Sequence, residues 1–190
     1  MRLSTVQGLD GLSIGELASH IGMSKSGLYA HFRSKEELQV ATVTAALEVV
    51  DAEVVQPALS RPDALGRLIA LCENFLSYAQ RSFPGGCFFA SAGAEFDTRP
   101  GSVRDLLTKY CQDWADLLVR LIKDAQQDGS IDSREDPVQL AFELNSFLHL
   151  ANDWFVLLQD AVTMERAHRS VINRLRAAAP ASDDRAQVGL

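Results

Sequence analysis

Cysteine is scarce in this chain of 190 residues: the sequence has three, Cys72, Cys87 and Cys111, and they are widely spaced. Without a Cys-x-x-Cys pair or a cysteine–histidine cluster, the sequence indicates neither a disulfide framework nor a zinc site. It also lacks the run of about 20 apolar residues that a transmembrane helix requires. The first residues lack the basic and then apolar pattern of a signal peptide. We therefore expect a cytoplasmic protein with reduced thiols and no membrane partner.

Patterns typical of enzymes are missing as well. The sequence has no glycine-rich phosphate-binding loop, no Ser/His/Asp arrangement and no paired catalytic carboxylates. His149 and Asp153 have a spacing that suits a metal, but two ligands are weak evidence for a site. We predict that the protein is not an enzyme and that it has neither a cofactor nor a metal site.

Basic residues are outnumbered by acidic ones, 18 to 25, which gives a formal net charge of −7. This balance argues against a protein that binds polyanions over its whole surface. The charge is unevenly distributed, however. Residues 1–40 contain four basic and four acidic side chains, so the remaining residues carry the whole acidic excess. Within the first part, Ser24–Lys35 has three basic residues and no acidic one, which indicates a small local cationic surface.

The patterns that are present predict an all-α protein. Apolar residues recur at helical spacing, and no strand-like alternation of useful length occurs. Ser13-x-x-Glu16 and Ser34-x-x-Glu37 are capping boxes, which mark helix starts. Helices are predicted over 13–22, 24–32, 34–55, 62–82, 87–96, 102–128, 137–158 and 164–178. The polar segment 179–190 is predicted to be a disordered tail.

The first two predicted helices have the layout of a helix-turn-helix. They are joined by Gly22-Met23-Ser24. A short second helix with an exposed N-terminal end fits a DNA major groove about 12 Å wide. The predicted shared core is Ile14, Leu17, Ile21, Leu28 and Phe32.

The stretch from Leu12 to Leu38 closely resembles the DNA-binding signature of the TetR (tetracycline-repressor-like) family. The resemblance is strong over residues 8–45 and extends further only as helical layout. It implies a DNA-binding domain over 1–45 and an effector-binding and dimerisation domain over 46–178. The implied function is that of a ligand-responsive transcriptional regulator, a homodimeric repressor released from palindromic operator DNA by a small-molecule effector. A helical ligand-binding protein or small enzyme without DNA-binding function remains the alternative.

The resemblance also implies roles for individual residues. Lys25, Ser26 and the backbone of Gly27 would face base edges, whereas Tyr29, His31 and Lys35 would contact phosphates. The implied DNA-binding set is Ser24, Lys25, Ser26, Gly27, Tyr29, His31, Ser34 and Lys35. Taken singly, each polar side chain could equally be an exposed residue without a partner. Family members normally have a full first helix where this chain has only Met1–Gly8, so we expect weaker operator binding than from an extended chain.

Two further sets of residues are candidates in the C-terminal domain. An effector pocket would be apolar with a few polar groups, although aromatic residues at helical spacing are more often ordinary core. The effector candidates are Phe75, Tyr78, Cys87, Phe89, Glu95, Tyr110, Trp114 and Trp154. Helix 137–158 is apolar on more than one side, which predicts that a second subunit covers it. The interface candidates are Phe142, Asn145, Leu148, His149, Asn152, Phe155, Val171 and Leu175. Of these, Asn145, His149 and Asn152 could instead orient an effector or face solvent.

Overall fold

The computed structural model describes residues 1–160 and 162–181, and these residues confirm the all-α prediction. They contain no β-strand, and none of their helices is both long and apolar enough to cross a membrane. The α-helices are α1 (Ser4–Gln7), α2 (Ile14–Ile21), α3 (Lys25–His31), α4 (Lys35–Val50), α5 (Gln56–Leu59), α6 (Ala64–Arg81), α7 (Phe88–Phe96), α8 (Ser102–Gln127), α9 (Pro137–Leu158) and α10 (Val162–Ala177). The tail predicted over 179–190 lies, from residue 182 onward, outside the described residues.

Both predicted serine caps form, but in each the glutamate carboxylate accepts from a group other than the amide of the capping serine, so neither is a full capping box. The Ser13 hydroxyl oxygen accepts the Glu16 amide at 3.2 Å and donates to the Glu16 carboxylate at 2.8 Å. At α4, Ser34 Oγ accepts the Glu37 amide, and the Glu37 carboxylate accepts the Arg33 amide at 2.8 Å. The two serine oxygens satisfy first-turn amides that have no partner within the helix. Local sequence therefore determines where α2 and α4 begin.

The helix predicted over 34–55 is interrupted in the structure. α4 passes into a π-helical segment, Asp51–Val55, and then into the short α5. The Gln56 amide donates to the Asp51 carbonyl five residues earlier, which widens the turn. Pro57 follows, and proline has no N–H and a ring that clashes with the carbonyl four residues earlier. The wider turn precedes this proline, and π-helical turns of this kind are frequent at functional sites.

The C-terminal part is a helical bundle. Helices α6, α8, α9 and α10 pack against one another around fully buried residues such as Leu68, Leu118 and Leu144. α4 lies along α8, and the π-helical segment and α5 lie against α6. α7 contacts α1, α8 and α9, so it connects the N-terminal helices to the bundle.

Candidate nucleic-acid interface and ligand-binding cluster

The helix-turn-helix predicted from the sequence is present. α2 ends at Gly22, which adopts a left-handed conformation with φ +72°. Ile14 and Leu28 of the predicted core are buried, and Leu17 and Phe32 are half-buried. The prediction for Ile21 is wrong, because the side chain is 48% exposed at the last turn of α2.

The residues proposed to contact DNA lie on and beside α3. All are exposed except Gly27, which is half-buried. Ser24 caps α3 by accepting the Gly27 amide at 3.1 Å, so its hydroxyl oxygen is already used in holding the helix start. Lys25 Nζ lies 5.9 Å from the centre of the Tyr29 ring, a cation–π distance. The α3 surface thus presents cationic and hydrogen-bonding groups to solvent.

Lys35 has an acidic neighbour that sequence reasoning missed. Asp10, in the loop between α1 and α2, accepts from Lys35 Nζ and from Arg99 Nη1, both at 2.9 Å. These bonds, that from Lys35 above all, lower the pKa of Asp10 to about 2. No sequence pattern pairs Asp10 with a cation 25 residues away, so only the fold reveals the contact.

Glu95, predicted to line an effector pocket, lies instead at the junction between the DNA-binding unit and the bundle. Its carboxylate accepts the backbone amides of Leu9 at 3.0 Å and Asp10 at 2.8 Å. Both carboxylate oxygens are therefore occupied by groups of the same chain. This contact corrects the effector assignment and connects α7 to the loop that carries Asp10.

Further contacts strengthen this junction. Ser102, at the start of α8, donates to the Glu36 carboxylate of α4 at 2.8 Å. Gly85 lies so close to α1 that a Cβ atom there would come within 1.8 Å of the Thr5 carbonyl oxygen. The neighbouring Cys87 amide donates to Asn152 Oδ1 of α9 at 2.7 Å. The loop before α7 is therefore held between α1 and α9.

Six of the eight predicted effector residues come together in one cluster inside the bundle. Tyr110 stacks on Phe89, with ring centroids 3.6 Å apart, and lies 6.4 Å from Trp114. Phe75 lies 5.5 Å from Trp114 and 6.4 Å from Tyr78. Cys87 is buried and close enough to Tyr78 and Tyr110 to affect the pKa of both hydroxyls. We refer to Phe75, Tyr78, Cys87, Phe89, Tyr110 and Trp114 as the aromatic cluster.

Burial governs the chemistry of the ionisable groups in this cluster. It raises the pKa of the Cys87 thiol to about 11, and it raises the pKa of the Tyr110 hydroxyl well above its usual value. Thiolate is the reactive form of cysteine. Cys87 is therefore neutral at physiological pH, which is unfavourable for redox chemistry. In the part of the chain that the structure describes, no three metal-ligating side chains cluster.

A groove of about 490 Å³ adjoins the aromatic cluster. It lies between the end of α4 and α8, with Tyr110 and Trp114 in its wall beside Leu47 and Val50. Its rim carries Asp51 and other charged side chains. Its size suits a small organic ligand, although Asp51, Asp113, Asp116 and Arg120 make its lining more polar than that of most such sites.

The predicted interface residues divide into two groups. Leu148, Asn152, Val171 and Leu175 are buried in the core of their own protomer, so they cannot also contact a partner, and these assignments are corrected. Asn145 Oδ1 is likewise engaged, because it accepts from the indole N–H of Trp114 at 2.9 Å. The remaining three differ in exposure: Phe142 and His149 are exposed, and Phe155 is half-buried.

The exposed face of α9 is more apolar than the sequence-based list suggested. Phe142 is 69% exposed, Leu157 79% and Leu158 57%. Trp154, predicted as an effector residue, is 46% exposed on this same helix and does not join the aromatic cluster. Large apolar side chains grouped on one exposed helix are typical of protein–protein contact.

These features define a class of protein. It is a DNA-binding protein in which a helix-turn-helix is joined to a helical bundle of the kind that binds small ligands. The family follows from the sequence. Residues 1–42 match the family described as "Bacterial regulatory proteins, tetR family", and residues 64–171 match "Tetracyclin repressor-like, C-terminal domain". The chain belongs to the TetR family of transcriptional regulators. A comparison with curated protein sequences found no match.

Solved structures share the fold over nearly the whole chain. A TetR transcriptional regulator from Chloroflexus aurantiacus J-10-FL is 25% identical, covers 92% of this chain and 89% of its own, and has a TM-score of 0.85. SCO4454, a TetR-family regulator from Streptomyces coelicolor, is 22% identical over 94% and 91%, with a TM-score of 0.81. AibR, in complex with isovaleryl coenzyme A and operator DNA, is 23% identical over 90% and 91%, with a TM-score of 0.72. The latter two likenesses concern the fold alone.

Proposed function

We propose that this TetR-family protein is a homodimeric, ligand-responsive repressor that a small-molecule effector releases from palindromic operator DNA. It acts on cytoplasmic DNA and catalyses no reaction. The observation that carries the proposal is the exposed cationic face of α3 and the start of α4, on a chain that is acidic elsewhere. Such a local surface supplies the phosphate attraction that DNA binding requires, and the acidic bundle limits non-specific contact.

In this proposal α3 enters the major groove. Lys25 and Ser26 face base edges, and the backbone of Gly27 allows the helix to approach closely. Tyr29, His31 and Lys35 contact phosphates, and the free amides after Ser34 hold a phosphate at the start of α4. The exposure of these side chains and the caps that fix both helices support these roles.

The exposed face of α9 supports the homodimer. Helix-turn-helix proteins read two half-sites about 34–36 Å apart, or a multiple of this, and a twofold dimer supplies that spacing. Phe142, Trp154, Leu157 and Leu158 give α9 an apolar surface that a second copy would bury. We place α9, with α10 beside it, at the centre of the interface.

The aromatic cluster and the adjoining groove support the effector site. AibR was crystallised with both isovaleryl coenzyme A and operator DNA, so one protein of this fold holds both kinds of partner. Ligand binding and DNA binding are coupled if the effector favours a conformer of the dimer in which the two helix-turn-helix units are wrongly spaced for the operator. The contacts of Glu95 and Asp10 connect the bundle to the helix-turn-helix. A conformational change in the bundle can therefore reach the DNA-binding surface through them.

Duplex binding tests the proposal. A duplex is selected from a random pool with the wild-type protein, and binding is then measured by fluorescence anisotropy at fixed salt. We expect tight binding that is lost when Lys25, Tyr29 and Lys35 are changed together to alanine. Changing Lys109 and Lys123, which are both exposed on α8, serves as the control and retains binding. A wild-type protein that selects no duplex would instead favour a helical ligand-binding protein without DNA-binding function.

A further inference from the structure

Asp10 lies between two cations that belong to different parts of the chain. Its Oδ1 atom accepts from Lys35 Nζ at the start of α4, at 2.9 Å. Its Oδ2 atom accepts from Arg99 Nη1, also at 2.9 Å, and Arg99 belongs to the connection between α7 and α8. Each of the three side chains is about half-exposed to solvent. We refer to Asp10, Lys35 and Arg99 as the ion triad.

Neighbouring contacts hold the ion triad in place. The Glu95 carboxylate of α7 accepts the backbone amide of Asp10 at 2.8 Å. Gln39, on α4, places its Nε2 atom 3.5 Å from Asp10 Oδ1. The guanidinium carbon of Arg99 lies 5.4 Å from the centre of the Phe96 ring, a cation–π distance. The geometry of the triad is therefore set by α4 and α7 as well as by its own ion pairs.

The ion triad determines the net charge at the place where Lys35 is proposed to contact a DNA phosphate. Asp10 is ionised at neutral pH, since its pKa is lowered to about 2, chiefly by Lys35. A lysine ammonium has three donors, so Lys35 can contact a phosphate while it still donates to Asp10. Lys35 and Asp10 alone would have no net charge, and the carboxylate would repel the phosphate. With Arg99 present, two cations face one carboxylate, so a positive charge remains.

Arg99 also follows directly from the helix that contacts the aromatic cluster. Phe89, in the first turn of α7, stacks on Tyr110 of that cluster with ring centroids 3.6 Å apart. α7 ends at Phe96, only a few residues before Arg99. A displacement of α7 would therefore change the distance between Arg99 and Asp10.

We propose that Arg99 sets the affinity for operator DNA from outside the helix-turn-helix, by neutralising Asp10 and so keeping a net positive charge beside the phosphate that Lys35 binds. The inference rests on the proposed function, because it concerns the phosphate contact of Lys35. Arg99 does not touch the DNA in this account. It is a positioning residue that acts through Asp10, and its distance from Asp10 depends on α7.

Anisotropy titrations of the selected duplex with the full chain, at fixed salt, test this role. Arg99→Gln should raise the Kd by about 2- to 30-fold, because each half-site loses the effect of one surface ion pair and the dimer binds two half-sites. Asp10→Asn should bind at least as tightly as wild type, since it removes the repelling carboxylate. When Asp10→Asn is already present, Arg99→Gln should no longer weaken binding.

Arg104→Gln is the matched control. It makes the same charge change in the first turn of α8, at an exposed residue whose Nε atom donates to the Asp97 carbonyl rather than to a carboxylate. Its Kd should stay close to that of wild type. Carboxyl NMR gives a second reading without DNA: Arg99→Gln should raise the pKa of Asp10, because Arg99 contributes most to lowering it after Lys35, and Arg104→Gln should not. Thermal unfolding establishes that each variant is folded.

The possible failures of this inference and of the proposed function can be told apart. If wild type binds its duplex tightly and Arg99→Gln binds equally well, the inference is overturned and the regulator stays intact. An equal rise of the Kd with and without the Asp10 carboxylate also overturns it, because Arg99 would then act on the DNA directly. A wild-type protein that selects no duplex refutes the proposed function, and the role of Arg99 falls with it.

Discussion

Replacing Glu95 by glutamine should loosen the loop between α1 and α2 while the bundle stays folded. The carboxylate accepts the amides of Leu9 and Asp10 with its two oxygens. Glutamine has one acceptor oxygen and an NH2 group, so one amide loses its partner and faces a donor. A hydrogen bond to a charged group is worth about 1.5–3 kcal/mol, and we reduce this to about 1–2 kcal/mol because Glu95 is half-exposed to solvent.

Amide hydrogen exchange measures this effect. If these amides exchange by local opening, a loss of about 1–2 kcal/mol accelerates exchange by about 5- to 30-fold at Leu9 and Asp10. Amides in α8 and α9 should be unaffected. The control is Asp97→Asn, which removes an exposed carboxylate two residues away. Unchanged exchange at both amides in Glu95→Gln would show that the carboxylate does not hold the junction.

Three further predictions concern other contacts. Because Lys35 contributes most to the lowered pKa of Asp10, Lys35→Gln should raise that pKa from about 2 toward 3.8, as followed by carboxyl NMR. The stabilisation by Asp10 should accordingly be present above about pH 3.8 and be lost as the pH falls toward 2, and an unshifted pKa would refute the pairing. Tyr78→Phe should leave the free energy of unfolding unchanged or raise it by about 1 kcal/mol, since it removes a buried hydroxyl without a partner; a fall larger than 1 kcal/mol in denaturant unfolding would contradict this. Leu157→Glu should raise the Kd of the homodimer by about 100-fold or more in sedimentation, because a twofold interface would bury the charge twice; an unchanged Kd would place the interface elsewhere.

Features fixed by neighbouring residues were predictable from the sequence. Ser13 with Glu16 and Ser34 with Glu37 lie three residues apart, so the serine caps that start α2 and α4 could be identified directly. The cationic stretch from Ser24 to Lys35 needed only a count of charges. Its exposure followed from the helical pattern and is confirmed.

Features that depend on distant residues were not predictable in the same way. Glu95 bonds amides about 85 residues away, and Asn152 accepts from Cys87 across 65 residues, so spacing gives no sign of either contact. Asn152 was predicted to lie in the dimer interface, but it accepts from an amide of its own protomer. Likewise, helical periodicity cannot decide which apolar face is buried, and Trp154 was predicted to line an effector pocket although it is 46% exposed on α9.

The salt dependence of duplex binding tests the central claim most directly. Each phosphate contact made by a cation contributes about −0.9 to the slope of log K against log[salt]. A dimer has two helix-turn-helix units, so Lys35→Gln removes two such contacts and the slope should become shallower by about 1.8. Lys123→Gln should leave it unchanged. A slope that is the same in wild type and Lys35→Gln would contradict the placement of Lys35 on the phosphate backbone and, with it, the proposed DNA-binding surface.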